Sequence, residues 1–387
     1  MSLPRSLLLC AALALGPVPV ATANGPPSVA LAGSLSLPAT ATEGGPEITG
    51  LSGVTWLGDD RYAAILDNSD RLLLFRLAVS RTGAPERVFD LEIVTLAERH
   101  DYEDVAPCPP ALAARIADRR RARGTTVPDT CLLVCEEDTP AIRAIDLDRG
   151  DLLGIVPIPE LLLTRRPNRG LEALASDPDG RFIWTATEEA VPADGPAAGV
   201  GQATVVRIAR IAVPGSGDTG GQFAYTVEPP HTFARIFAGE PLSGLVALAA
   251  LGQDRLLVLE RSGAPGLPPF KSRITLVDTR PGTDISDLPG GLAERPETAL
   301  AKQVLWEDAL GCNLEGLCLG PQLSGGRQLL VAVADNGGLG TPTQLVTLVL
   351  SHPDAAVDVS AVGVAAAVAG MALLLVRLTS PSPCSTR

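Results

Sequence analysis

Gly170-Leu171-Glu172-Ala173-Leu174-Ala175, a turn at Asp177-Pro178-Asp179-Gly180-Arg181, then Phe182-Ile183-Trp184 and Glu188-Glu189: this passage decides the fold, because it recurs along the chain. An apolar run, a polar turn carrying Gly, Asp or Pro, a second apolar run and an acidic end read together as a β-hairpin. A later copy is Asn313-Leu314-Glu315-Gly316-Leu317, Gly325-Gly326-Arg327, Leu329-Leu330-Val331-Ala332-Val333 and Asp335-Asn336. An earlier one is Leu51-Ser52-Gly53-Val54-Thr55-Trp56, Gly58-Asp59-Asp60-Arg61, Tyr62-Ala63-Ala64-Ile65-Leu66 and Asp67-Asn68-Ser69. Another starts at Gly244-Leu245-Val246, turns at Gly252-Gln253-Asp254-Arg255 and ends Leu257-Val258-Leu259-Glu260-Arg261. An interrupted copy begins at Asp101-Tyr102-Glu103-Asp104-Val105-Ala106 and resumes at Cys131-Leu132-Leu133-Val134-Cys135-Glu136-Glu137. A third apolar run often follows, as in Leu72–Leu77, Ala141–Leu147, Thr204–Ile208, Arg273–Val277 and Gln344–Leu350.

Anchors at positions 53, 103, 172, 246 and 315 are spaced about 50 to 74 residues apart, which suits three- or four-stranded antiparallel units. Radial repetition of such units hides their sheet edges, so the reading is an all-β propeller of five or six blades. Five are visible, and a sixth is assembled from the N-terminal run Val29–Leu37 and its neighbours. A β-sandwich leaves the repetition unexplained. The composition agrees: of 387 residues, 39 are Gly and 34 Pro, about a fifth against an average of ~12%, spread along the chain as turn punctuation.

The 31 basic residues against 44 acidic ones give a formal net charge of −13. A phosphate backbone is bound by Lys/Arg stripes, so nucleic acid is excluded as a partner. An anionic substrate needs a local Arg cluster or a bridging cation against that field.

Both ends carry sorting features. Arg5, the apolar run Leu7–Leu15 and Ala21-Thr22-Ala23 read as a signal peptide over residues 1–23. Residues 359–376, from Val359 to Val376, are uncharged, apolar and just long enough to span a bilayer, followed by Arg377. The expected organisation is signal peptide 1–23, propeller domain 24–350, and a 351–387 tail containing a transmembrane helix. That makes an exported protein, periplasmic or extracellular, anchored to a membrane through its C-terminal helix. Cys108 and Cys131 bracket a Pro- and Arg-rich insertion, 108–131, and are the expected disulfide, with buried core thiols as the alternative. Within it, Arg115–Arg123 reads as a basic helical run on a solvated face.

Glu103, Glu172 and Glu315 occupy one place in three repeats, with Gly53 and Val246 at that place in the other two. The first strand of each blade lines a propeller's channel, so the three carboxylates should meet at one mouth. Clustered carboxylates raise one another's pKa or bind a cation, and oxygen-only ligands select hard ions such as Ca²⁺. Metal ligation by Glu103, Glu172 and Glu315, acid–base work, and a repeated structural device all remain open. Arg169 and Arg261 are the nearest positive groups for a substrate anion. A second acid set closes the hairpins at Asp67, Glu136, Glu188, Glu260 and Asp335, where turn-forming acids are common. There is no Gly-x-Ser-x-Gly elbow, P-loop, dinucleotide-binding glycine fingerprint or CxxC pair, and His100, His231 and His352 lack the context of a histidine phosphatase.

The chain resembles the family described as esterase-like activity of phytase, secreted propeller-like proteins. The resemblance rests on Asn168-x-Gly170-x-Glu172-x-Leu174, on Asn313-Leu314-Glu315-Gly316-Leu317 with Gly320-Pro321, on Leu257-Val258-Leu259-Glu260-Arg261, and on Val333-Ala334-Asp335-Asn336 with Thr343-Gln344-Leu345. It covers residues 45 to 350. It implies a hydrolase of phosphate or other esters; the repeat positions add the channel mouth as the site, Glu172, Glu315, Arg169 and Arg261 as catalytic, a divalent cation and no organic cofactor. The alternatives are a non-catalytic propeller that binds an unknown surface ligand, and a lactonase-like propeller.

Overall fold

The computed structural model describes residues 26–232, 241–265, 268–308, 310–335 and 343–351. The signal peptide at 1–23 and the apolar segment 359–376 lie outside them. Among the described residues, no helix is long and apolar enough to cross a membrane.

The repeat becomes five four-stranded antiparallel blades. After β1 (Ser28–Ser36), blade one comprises β2 (Leu51–Gly58), β3 (Arg61–Leu66), β4 (Arg71–Val79) and β5 (Pro85–Thr95). Blade two has β6 (Tyr102–Pro107), the helix α1 (Pro110–Ala122), β7 (Cys131–Glu136), β8 (Ala141–Asp146) and β9 (Leu152–Val156). Blade three has β10 (Leu171–Ser176), β11 (Phe182–Thr187), β12 (Thr204–Ala212) and β13 (Gly221–Val227). Blade four has β14 (Leu242–Gly252), β15 (Arg255–Gly263), β16 (Phe270–Asp278) and β17 (Lys302–Asp308). Blade five has β18 (Asn313–Leu323), β19 (Arg327–Asp335) and β20 (Gln344–Ser351), and takes β1 as its outermost strand. Among the described residues there is no sixth blade. The N-terminal run pairs antiparallel with β20, from Ser28 opposite Ser351 to Ser36 opposite Gln344. That pairing ties the first strand to the last and covers an edge that would otherwise be open.

The inner strands β2, β6, β10, β14 and β18 contact one another in a ring around the axis. They read as nearly continuous apolar runs because blades cover both of their faces. The core lies between neighbouring blades: Trp184, Phe223 and Tyr225 of blade three pack against Leu245, Leu248 and Val258 of blade four. Outer strands alternate, as in β5, where Arg87, Glu92 and Thr95 are exposed and Val94 is buried. Hairpin turns take the twist-matching left-handed form, with φ of +54° and +58° at Gln253 and Asp254.

The insertion forms the expected basic helix, seated on Leu112, Ile116 and Ala117 with Arg115, Arg119 and Arg121 exposed. The expected Cys108–Cys131 disulfide is not formed. Both are free thiols, linked instead by the Cys108 amide donating to the Cys131 carbonyl at 3.2 Å. The apolar seat of α1 closes the insertion without a crosslink. A hydrogen bond from Cys108 and burial push the Cys131 thiol up, away from the reactive thiolate.

Candidate functional site at the acidic mouth of the channel

Each inner strand slips by one residue against its hairpin partner. The slips lie between Leu51 and Gly53, Tyr102 and Asp104, Leu171 and Ala173, Leu245 and Ala247, and Leu314 and Gly316. The bulged residues are therefore Ser52, Glu103, Glu172, Val246 and Glu315. A bulge leaves its residue out of the ladder and re-aims the side chain. Five bulges at one level make a ring, and all but Val246 line a single polar pocket of about 160 Å³.

A second ring forms where the hairpin partners end: Asp67, Glu137, Glu188, Arg261 and Asp335, each lining the same pocket. Asp67, Glu137 and Glu188 donate their amides to the carbonyls of Gly50, Asp101 and Gly170, while Arg261 pairs with Gly244 and Asp335 with Asn313. The register corrects three sequence assignments. Ser52, not Gly53, is the counterpart of Glu103, Glu172 and Glu315. Glu137 and Arg261, not Glu136 and Glu260, are the counterparts of Asp67, Glu188 and Asp335. Glu136 and Glu260 pair opposite Tyr102 and Leu245 and point elsewhere. Glu136 binds Arg143 Nε at 2.6 Å and His100 Nδ1 at 2.8 Å. Glu260 accepts from the Tyr225 hydroxyl at 2.5 Å, Lys302 Nζ at 2.8 Å and Arg273 Nη1 at 3.1 Å.

Blade four is the exception in both rings, with Val246 and Arg261 where the others carry polar or acidic groups. The Arg261 guanidinium enters the pocket, with Nη2 3.0 Å from Glu188 Oε1 and 3.2 Å from Glu315 Oε2. Its charge is thereby committed to the wall. Arg169 reaches Glu188 Oε2 at 3.0 Å and Glu189 Oε1 at 3.6 Å, and its side chain is a quarter exposed at the rim. The pocket thus holds seven carboxylates against two guanidiniums.

The three glutamates read from the sequence do share this pocket, but they do not form one ligand set. Glu103 stands with Asp67 and Asp101, their carboxylate oxygens all within 4.8 Å of one another. Ser52 Oγ donates to Glu103 Oε2 at 2.7 Å. Glu315 accepts from Asn313 Nδ2 at 2.5 Å through Oε1 and forms an ion pair with Arg261 through Oε2. Glu172 has no hydrogen bond or ion pair among the described residues, although it is only 7% exposed. Asp101 escaped the sequence reading. Its signal is the pair of residues before each bulge: Gly50-Leu51, Asp101-Tyr102, Gly170-Leu171, Gly244-Leu245 and Asn313-Leu314, in which only blade two offers a carboxylate.

Burial and crowding set the protonation of these groups. Asp67 is pushed up to about 8 by burial and by its hydrogen-bonded neighbour Asp101. Burial, then Arg261 in opposition and Glu188 in support, leaves Glu315 at about 7, and burial leaves Glu137 at about 7. Glu103 and Glu172 are raised well above the carboxylate range, first by burial and then by acidic neighbours, Asp67 for Glu103 and Glu103 for Glu172. Raised carboxyl pKa values mean that the folded chain keeps protons which the unfolded chain releases near pH 4. Stability is therefore lost as pH rises from about 4 through 8. The urea midpoint in a chelating buffer is expected to fall between about pH 5 and pH 8, and Ca²⁺ should flatten that fall. A midpoint rising over this window contradicts the assignment.

Directly beyond each bulge stand Gly53, Asp104, Ala173, Ala247 and Gly316, which narrow the channel to a waist. A Cβ on Gly53 would lie 2.4 Å from Asp104 Cα, and one on Gly316 2.6 Å from the Ser52 carbonyl oxygen. Asp104 fills the waist, accepting from the amides of Val105 and Leu174 at 2.8 Å each.

A family model for phytase-like proteins, described as esterase-like activity of phytase, matches residues 46–338. No curated protein matches the chain. Among solved structures, a thermostable family-43 glycoside hydrolase is similar at 11% identity and a TM-score of 0.41, over 83% of this chain and 94% of that one. An α-L-arabinanase of Cellvibrio cellulosa complexed with arabinohexaose is similar at 8% identity and 0.34, over 79% and 92%. A tail fiber of Staphylococcus aureus phage P68 is similar at 8% and 0.39, over 83% of this chain and 52% of the fiber, so the chain spans about half the fiber's length. At such identities these likenesses assign no chemistry.

Proposed function

Since the chain belongs to the phytase-like family of esterase-like proteins, we propose that it hydrolyses small phosphate or other esters at the acidic mouth, with a divalent cation held by Asp67, Asp101 and Glu103. The observation that carries this reading is the pocket itself: three bulged glutamates and four acids at the hairpin ends, from separate blades, come together with two guanidiniums. Isolated, that excess charge is costly, and a hard cation is its natural complement.

The three carboxylates fit such an ion. Their donors are all oxygens, the atoms lie close enough to share one centre, and the buried Asp101 Oδ1 has no hydrogen-bond partner. Asp67, pushed up to about 8 without a cation, is the group whose ionisation a cation would restore. Bound there, a divalent ion supplies charge neutralisation and polarisation for an anionic ester.

The remaining work falls to the chain. Burial and then Glu103 disfavour the Glu172 charge and raise its hold on a proton, the direction a donor to a leaving alkoxide needs. Arg169, at the rim, is placed to meet an anionic substituent, exchanging part of its contact with Glu188. Arg261 holds Glu188 and Glu315 in place and acts as a positioning residue. The signal-like segment 1–23 and the apolar run 359–376 read from the sequence support an exported location for this activity.

The test uses the full chain, stripped with a chelator, on a panel of p-nitrophenyl phosphate, p-nitrophenyl acetate and a simple lactone. Turnover of one class should vanish on chelation and return with Ca²⁺. Turnover indifferent to chelation removes the cation from the proposal. A blank panel with Ca²⁺ still bound replaces it with a binding propeller.

A further inference from the structure

The repeat that places acids at one end of the channel places an apolar ring at the other. Immediately past the waist stand Val54, Val105, Leu174, Leu248 and Leu317, one from each inner strand, forming the floor of a cavity of about 650 Å³. Its lining shares no residue with the acidic pocket. It is therefore a separate pocket, on the face of the β2–β3-type hairpin turns, with the inner strands packed closely at its base.

Two properties of the lining define what fits. It contains no Asp, Glu, Lys, Arg or His, in a chain whose net charge is −13. Its polar groups are largely occupied within the protein. Trp56 Nε1 donates to the Asp59 carbonyl at 2.9 Å, Ser176 Oγ to the Pro107 carbonyl at 2.6 Å, and Gln328 Nε2 to the Gly320 carbonyl at 2.5 Å. A charged guest would lose its hydration with no counter-charge in return. An apolar guest gains burial against walls held by five hydrogen-bonded strands, which cost little to order. The volume lies within the range that encloses a small organic molecule.

We infer that this cavity is a second ligand site, which takes an uncharged, largely apolar small molecule and is separate from the acidic mouth. The site does not depend on the proposed hydrolysis and stands or falls without it.

The probe is N-phenyl-1-naphthylamine, an uncharged dye that brightens in apolar surroundings, titrated into the full chain. Saturable binding of one molecule per chain is expected. Its sulfonated analogue 8-anilinonaphthalene-1-sulfonate, which has the same rings and an added negative charge, should bind at least tenfold more weakly. Leu251→Lys, which sets a charge in the wall, and Gln322→Trp, an exposed rim position that narrows the mouth, should each weaken dye binding at least tenfold. Gln322 is solvent-facing, so its variant tests the site even where Leu251→Lys fails to fold. Glu315→Gln, in the acidic pocket, should leave the dye affinity unchanged. Absent saturation, several dyes per chain, equal affinity for the sulfonate, wild-type affinity in the folded rim variants, or a loss in Glu315→Gln would each overturn the assignment.

Discussion

Glu103→Gln is expected to remove Ca²⁺ binding and lower ester hydrolysis at least a hundredfold, about 2.7 kcal/mol of transition-state stabilisation, while stabilising the fold in chelating buffer. The two effects run in opposite directions for one reason. Glu103 is buried beside Asp67 and Asp101, so its negative charge serves a cation and is otherwise a burden. Glutamine keeps the shape and can still meet Ser52 Oγ, which now sits 2.7 Å from Oε2, but offers no charge. Calorimetric Ca²⁺ titration, hydrolysis of the active panel ester and urea unfolding in chelator measure the three quantities. Glu172→Gln separates ligand from proton donor: Ca²⁺ binding persists, hydrolysis falls by a similar factor, and the alkaline limb of the pH profile disappears. Unchanged Ca²⁺ affinity in Glu103→Gln would sink the cation assignment, whatever happened to hydrolysis.

Arg261→Met should be the most destabilising change at the acidic mouth, by about 3–5 kcal/mol near neutral pH, the usual result of leaving a buried charge without its partner. The guanidinium lies 3.0 Å from Glu188 and 3.2 Å from Glu315, and all three groups are nearly inaccessible to water. Methionine fills much of the stem volume, so the loss reports charge rather than a cavity. The penalty should shrink toward about pH 5, because Glu315, at about 7 with Arg261 present, takes up a proton more readily once the cation is gone. Adding Glu315→Gln should recover a large part of it, since the two positions are coupled by contact. Urea titrations of the two single variants and the double variant at both pH values provide the measurement. A penalty under about 1 kcal/mol that stays flat with pH would show that these carboxylates find other partners.

Much of this was legible in the chain. The turns at Gln253-Asp254 and Gly325-Gly326 mark hairpins, and the runs on either side are apolar because both faces of an inner strand are covered. Glu103, Glu172 and Glu315 were recognisable as equivalent because each follows an apolar residue at the same point of its repeat. The number of blades was not legible: Val29–Leu37 reads as a strand in either case, and only its pairing with β20 makes it the edge of the fifth blade. The Asp67–Asp101 contact was equally hidden, since it joins the end of one blade's hairpin to the start of the next blade.

The acid set at the hairpin ends divides the two kinds of information. Composition and repetition alone determine that carboxylates recur there, that the blades are antiparallel, and that acidic and apolar residues alternate by repeat. Which carboxylate enters the channel is decided by register. A one-residue slip turns a strand's side chain to the opposite face, so Glu137 enters while Glu136 turns to Arg143, and Arg261 enters while Glu260 turns to Lys302. Ring closure then brings residues from separate blades within hydrogen-bonding distance, and burial there raises their pKa values and divides the channel into an acidic end and an apolar one. No local pattern encodes these outcomes, because each depends on side chains that are neighbours only after the first strand has joined the last.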